Sequence, residues 1–155
     1  MIRTLARSDL DAVRRLAIVA SAEGFQFLER LVAQMENDTV RIDAADEFFV
    51  CAIDHGEIIG VGGVTPDPYR AEPGVGRVRH VYIRPESRRA GIGRALIMEI
   101  ERRARSRYGT LRLRTDTPRG ARFYEAIGYR PIVDPDATHI KLNRGPVVDS
   151  PGLKR

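Results

Sequence analysis

The stretch Val81-Tyr82-Ile83-Arg84-Pro85-Glu86-Ser87-Arg88-Arg89-Ala90-Gly91-Ile92-Gly93-Arg94-Ala95-Leu96 constrains this chain more than any other. A strand-like run ends in a turn carrying two arginines. Two glycines then open a helix whose apolar positions, Ile92, Leu96, Ile100 and Ala104, recur at helical spacing. The first amides of a helix have no partner within it and lie at the positive end of its dipole. Glycines let a bulky anion come against those amides, and Arg88, Arg89 and Arg94 add charge beside it. The segment predicts a phosphate cradle.

The flanking sequence supplies an α/β frame. Ile2–Leu5 reads as a strand, and Ser8 opens a helix to about Ser21 with Asp11 as a weak capping-box partner. A second helix spans about Phe25 to Met35. Glu47–Asp54 and Glu57–Thr65 are strands joined by the tight turn Asp54-His55-Gly56-Glu57. The prolines of Thr65–Gly74 exclude a regular element there. Gly76–Ile83 is a strand with Val78, His80 and Tyr82 on one side and Arg79, Val81 and Ile83 on the other. The cradle helix runs from Gly91 to about Arg107, with Glu101 and Arg105 paired on its wet face. A strand, Leu111–Thr115, a helix, Gly120–Ile127, and strands near Tyr129–Val133 and Thr138–Asn143 complete one mixed α/β sheet. Residues 1–144 read as a single domain and 145–155, with Pro146, Pro151 and Gly152, as a frayed tail.

Composition narrows the partners. The formal charge of +5 is carried almost wholly by arginine, the only lysines being Lys141 and Lys154. Such a chain suits an anion: nucleic acid, a membrane surface or a phosphorylated cofactor. No run reaches the roughly 18 apolar residues of a membrane span, and no secretory leader is visible, so the expected location is cytoplasmic. The lone Cys51 excludes an internal disulfide and alternates with Phe49 and Ile53 as packing. The histidines lack metal-ligand spacing, so no metal is expected.

Three phosphate-binding designs can be weighed. A P-loop requires Lys-Ser/Thr after its last glycine, and Gly93 is followed by Arg94-Ala95. The dinucleotide fingerprint has Leu96 in place of its third glycine, and the strand stops well before Gly91. The third fits. Arg88-x-x-Gly91-x-Gly93 resembles the R/Q-x-x-G-x-G/A signature of the GNAT family of N-acetyltransferases. Val81–Glu86 resembles that family's strand and following x-P-E, and Gly120–Tyr129 is similar to its A-x-x-F/L-Y-x-x-x-G-F/Y block. About residues 2–143 are compatible with it. Two departures stand out: Thr117 where many relatives have Asn, and Gly120 where Ala is usual.

The resemblance implies a GNAT-like acyl-CoA N-acyltransferase fold, a mixed, mostly antiparallel sheet flanked by helices. It also implies acetyl-CoA as cosubstrate and an amine acceptor, attacked directly in a ternary complex, and it leaves room for a homodimer. By position, Val81, Tyr82 and Ile83 would run beside the pantetheine, Arg88, Arg89, Ala90, Gly91, Ile92, Gly93, Arg94 and Ala95 would surround the pyrophosphate, and Thr117 and Phe123 would flank the arm. Tyr124 would protonate the leaving thiolate, since a phenol stays protonated at neutral pH. Arg77 and Arg79 stand where many relatives carry a Glu base, which leaves His80 as the base of suitable pKa, with Glu23, Asp67 and Glu72 as alternatives. His55 reads as exposed, and His139 faces either the substrate or the core. Asp67, Tyr69 and Glu72 make the loop before the cofactor strand acidic and aromatic, which predicts a cationic acceptor: a small or peptide amine. Two other functions remain open: a non-catalytic acyl-CoA-binding or regulatory module, and a nucleic-acid-binding domain that uses the basic helix.

Overall fold

The computed structural model describes residues 1–70 and 72–144; the tail predicted to fray lies outside the described residues. The chain runs β1 (Ile2–Thr4), α1 (Leu10–Ala22), α2 (Phe27–Glu36), β2 (Phe48–Asp54), β3 (Glu57–Pro66), β4 (Val75–Ile83) and α3 (Ile92–Ala104). It continues through β5 (Thr110–Leu113), α4 (Pro118–Ala126), β6 (Arg130–Pro131) and β7 (His139–Leu142). The strands form one seven-stranded sheet in the order β1-β2-β3-β4-β5-β7-β6. Every neighbouring pair is antiparallel except β4 and β5, between which α3 carries the chain back across the sheet. This is the mixed, mostly antiparallel sheet that the sequence predicts.

Alternation in β2 divides the interior into two layers. Phe49 and Cys51 face α1 and α2, where Val13, Leu16, Leu28 and Leu31 are buried with Tyr82 of β4. Phe48, Val50 and Ala52 face α3, where Leu96, Ile97 and Ile100 are buried with Val78, Leu111 and Leu113. Leu28, Leu96 and Ile100 are wholly inaccessible, so truncating any one to Ala costs about 2–5 kcal/mol. Burial pushes the Cys51 thiol up to about 11, which leaves it an unreactive packing group.

Four sequence expectations need correction. A 3-10 turn at Arg7–Asp9 precedes α1, and the capping carboxylate is Asp9, which accepts the Ala6 N–H (2.8 Å) and two bonds from Arg3 (2.8 and 3.0 Å). Ser8 and Asp11 do not cap the helix. Phe25 belongs to the close of α1: Gly24 adopts φ +92° and the Phe25 amide reaches back to Ala20 (3.0 Å), so α2 starts two residues later. Glu101 is buried rather than on a wet face, because Tyr129 (2.8 Å) and Lys141 (3.0 Å) donate to it from beyond α4. Finally, Val78 and Tyr82 lie on opposite faces of the sheet. The pairing Gly63–Arg79 gives way to Val61–Tyr82, so β4 carries one extra residue, and His80 takes φ +57°. A β-bulge has reversed the alternation.

Candidate functional site

The bulge matters because of where β4 leaves its neighbour. β4 pairs with β5 only at Val75–Thr110, Gly76–Leu111 and Arg77–Arg112. Past Arg77 the two strands part, so among the described residues the β5-side edge of 79–83 has no partner strand. An unpaired strand edge is a row of backbone donors and acceptors that an extended ligand can use. The wedge has its vertex at Arg77 and Arg112, and its open end leads past Ile83 to the start of α3.

That helix start is built for an anion. Gly91 is the N-cap in the left-handed region (φ +78°), and no side chain caps the helix. The first helical bond runs from the Ala95 amide to the Gly91 carbonyl (3.0 Å), which leaves the amides of Ile92, Gly93 and Arg94 ahead of the ladder. A Cβ on Gly91 would meet nothing within 4 Å, so the space in front is open. Arg89, also at positive φ (+69°), and Arg94 are exposed beside it. A pyrophosphate fits this end by shape and by charge. Phe123 lies over Gly93, and its ring meets Tyr124 edge-on at 5.0 Å.

Arg88 takes a different part from the one predicted. Its guanidinium donates twice to Glu23 (3.0 and 2.7 Å) and through Nε to the Ile83 carbonyl (2.9 Å), and stands 5.3 Å over the Tyr82 ring. The Tyr82 hydroxyl also donates to Glu23. The side chain of Arg88 therefore braces the cradle loop against the end of α1 rather than offering its charge to a phosphate. Arg88 holds the Glu23 carboxyl below its ordinary range, so Glu23 is a poor base. Nothing local in the sequence signals this brace, whose partners are 65 residues apart.

Tyr124 is buried on α4, its ring edge-on to Phe123 and, at 5.5 Å, to Tyr129. Burial alone raises its pKa, so the phenol holds its proton at neutral pH, and its hydroxyl has no hydrogen-bond partner among the described residues. Thr117 caps α4 by accepting the Gly120 amide (3.0 Å). The departure at Gly120 has a steric reason: a Cβ there would stand 2.1 Å from the Thr115 hydroxyl.

The predicted acidic loop is not an acidic surface. Asp67 is buried, accepts the Tyr69 amide (2.9 Å) and pairs with Arg112 (3.2 Å). Glu72 pairs with Arg70 (2.9 Å), and the exposed Tyr69 ring lies under the Arg77 guanidinium at 4.9 Å. Both carboxylates are neutralised within the protein, and the attraction for a cationic acceptor drawn from them fails. His55 is exposed on its hairpin. His139 faces the interior, bound to Glu125 (2.9 Å) and Thr138 (2.8 Å).

His80 sits at the bulge between Phe27 and Phe49, ring centroids 6.4 and 5.8 Å away, and its buried Nδ1 has no partner among the described residues. Burial first, then the charges of Arg79 and Arg30, lower its pKa to about 4, while a contact with the Phe27 backbone works the other way. The folded protein thus binds fewer protons than the unfolded chain between about pH 4 and the ordinary histidine value. Stability should be full above pH 6.5 and fall by at most roughly 3 kcal/mol as pH drops to 4. Below that, the folded form protonates too and the loss stops growing. His80→Asn keeps a residue that tolerates positive φ and removes the titration. Its melting temperature should fall less than the wild type's across that window, and equal slopes would show that His80 is not the group responsible.

Comparison with known proteins agrees with this geometry. Residues 11–129 match the acetyltransferase (GNAT) family. The chain superposes on a candidate acetyltransferase from Exiguobacterium sp. 255-15 with a TM-score of 0.78 and 27% identity, covering 92% of each chain. The PaiA N-acetyltransferase of Thermoplasma acidophilum, solved with coenzyme A, gives 0.66 at 18% identity over 92% of this chain and 98% of that one. An aminoglycoside 6'-N-acetyltransferase, also complexed with coenzyme A, gives 0.71 at 18% identity over 96% and 99%. No curated protein matches the sequence. A family match across most of the chain, on a fold shared along nearly its full length, makes this protein a member of the GNAT acetyltransferase family.

Proposed function

We propose that residues 1–144 form one cytoplasmic N-acetyltransferase domain that moves an acetyl group from acetyl-CoA to an amine by direct attack in a ternary complex. The observation that carries this reading is the wedge between β4 and β5, which opens onto the uncapped, left-handed start of α3. Acetyl-CoA supplies an activated thioester. The amides of Ile92, Gly93 and Arg94, with Arg89 and Arg94, hold the pyrophosphate. The free edge of Val81–Ile83 hydrogen-bonds the pantetheine in the manner of an added strand, and Thr117 and Phe123 flank the arm. Tyr82 contributes backbone only, since its ring and hydroxyl are committed to the opposite layer.

In the reaction the amine nitrogen forms a bond to the acyl carbon, the carbon–sulfur bond breaks, and the thiolate takes the Tyr124 proton. The attacking nitrogen must shed a proton of its own. His80, unprotonated at neutral pH, offers a lone pair that orients an N–H or a water, and the proton passes on to solvent. A group with a pKa near 4 is a weak base, so His80 serves by positioning more than by holding the proton. The test has two parts: retention on immobilised coenzyme A that free coenzyme A reverses and DNA does not, and thiol release from acetyl-CoA across a panel of amines. Binding without thiol release from any amine would support a non-catalytic acyl-CoA-binding module, and elution by DNA would support a nucleic-acid-binding domain.

A further inference from the structure

Three buried side-chain nitrogens lack a hydrogen-bond partner among the described residues: Nη1 of Arg77, Nε of Arg112 and Nδ1 of His80. They are not scattered. Arg77 and Arg112 are register partners in the last paired rung of β4 and β5, and His80 is the bulge residue just beyond. All three stand at the vertex of the wedge. Leaving a buried polar nitrogen unpaired costs about 1–3 kcal/mol, and more for a charged group, so a set of three at one place points to a partner that the described residues do not supply.

The charge of that partner follows from its surroundings. Arg77 is 7% exposed, its guanidinium carbon 4.9 Å from the centre of the Tyr69 ring. Arg112 uses its other nitrogens on Asp67 (3.2 Å) and Asp134 (2.8 Å). Asp67 stands close enough to Arg77 to favour its charge, but it already serves Arg112 and the Tyr69 amide. Arg79 is two residues along the same strand as Arg77, ahead of the bulge, and so lies on the same face, with Arg30 of α2 acting on His80 from above. Three guanidinium groups on β4 and β5 thus face two carboxylates, both of them already engaged. A cation would be repelled here, and a planar guanidinium with a free edge matches a carboxylate.

Position supplies the rest. With a pyrophosphate at Gly91, an extended cosubstrate running down the free edge of β4 brings its reactive end toward Arg77 and His80. We propose that the acceptor is a small amine bearing a carboxylate, such as a free amino acid, whose carboxylate docks on Arg77 with Arg79 beside it and so presents the amine at the bulge. This rests on the acetyltransferase reading above and reverses the charge preference drawn from the loop sequence.

The test uses product-like probes on the full chain loaded with coenzyme A. Each of the N-acetyl amino acids is titrated by calorimetry beside its own carboxamide, which differs only in the missing charge. At least one acid should bind tenfold or more tightly than its amide. That preference should fall toward unity in both Arg77→Gln and Arg79→Gln, while coenzyme A affinity stays within about twofold. Arg79 is only half-buried, so its variant keeps the test decisive where Arg77→Gln fails to fold. No binding of any acid, equal binding of acid and amide, or a preference that survives in Arg79→Gln overturns the proposal. Coenzyme A that binds, with thiol released to uncharged amines, sinks this inference alone. Coenzyme A that fails to bind sinks the reading beneath it.

Discussion

Gly91→Val should abolish binding of coenzyme A while the protein remains folded. The residue has two properties that a valine cannot share. Its φ of +78° lies in the left-handed region, which a β-branched side chain enters at a cost of about 1–3 kcal/mol. Against a typical stability of about 5–15 kcal/mol, that cost is bearable. The second property is the open space in front, since a Cβ at this position would touch no other group among the described residues. Whatever the side chain fills is therefore the volume that the proposed pyrophosphate occupies. Calorimetry should show the dissociation constant for acetyl-CoA raised by more than about 100-fold, equivalent to about 2.7 kcal/mol. Gly91→Asn separates the two effects, because asparagine tolerates left-handed backbone. It should melt close to the wild type and still bind weakly. Wild-type affinity in a folded Gly91→Val protein would place the pyrophosphate elsewhere, and the cradle reading would fail.

The Gly91 cradle is legible in the sequence because it is a matter of backbone, and short sequence spacings report backbone well. Gly91 marks a left-handed cap, and the periodicity of Ile92, Leu96, Ile100 and Ala104 marks the buried face of α3. Where sequence reading went astray, the deciding partner lay far along the chain. Glu101 looks wet beside Arg105, yet Tyr129 and Lys141 cover it from 28 and 40 residues away. Asp67 and Glu72 look like an acidic lure until Arg112, 45 residues on, takes the first and Arg70 the second. Arg88 looks like a phosphate ligand until Glu23 claims it. The bulge is a different kind of omission. One extra residue at His80 changes no composition and breaks no apolar run, but it puts Val78 and Tyr82 on opposite faces, just past the point where β4 parts from β5. The segment that forms the wedge is thus legible as a strand and illegible as a cleft.

Tyr124→Phe should lower kcat by roughly 100-fold and leave the affinity for acetyl-CoA nearly unchanged. The substitution removes one oxygen from a ring held edge-on to Phe123 and Tyr129, so the packing that positions α4 is kept. It also costs little stability, because the Tyr124 hydroxyl has no partner among the described residues to leave stranded. That lack of a partner is itself the argument for function. Tyr129 and Tyr108 spend their hydroxyls inside the protein, on Glu101 and the Asp46 carbonyl, whereas that of Tyr124 stays available to a ligand. Tyr124 keeps its proton, because burial raises its pKa, and donates it to no group among the described residues. A thiolate expelled next to it meets a donor already desolvated, and a loss of about 2.7 kcal/mol of transition-state stabilisation corresponds to the 100-fold change. Since the thiolate forms only as the carbon–sulfur bond breaks, the loss should fall on kcat and not on ground-state binding. Poor leaving groups need the donor most, so a thioester whose thiol has a lower pKa should recover part of the rate in Tyr124→Phe. If kcat at saturation is unchanged, Tyr124 packs the core as Phe123 does, and the leaving group takes its proton from solvent.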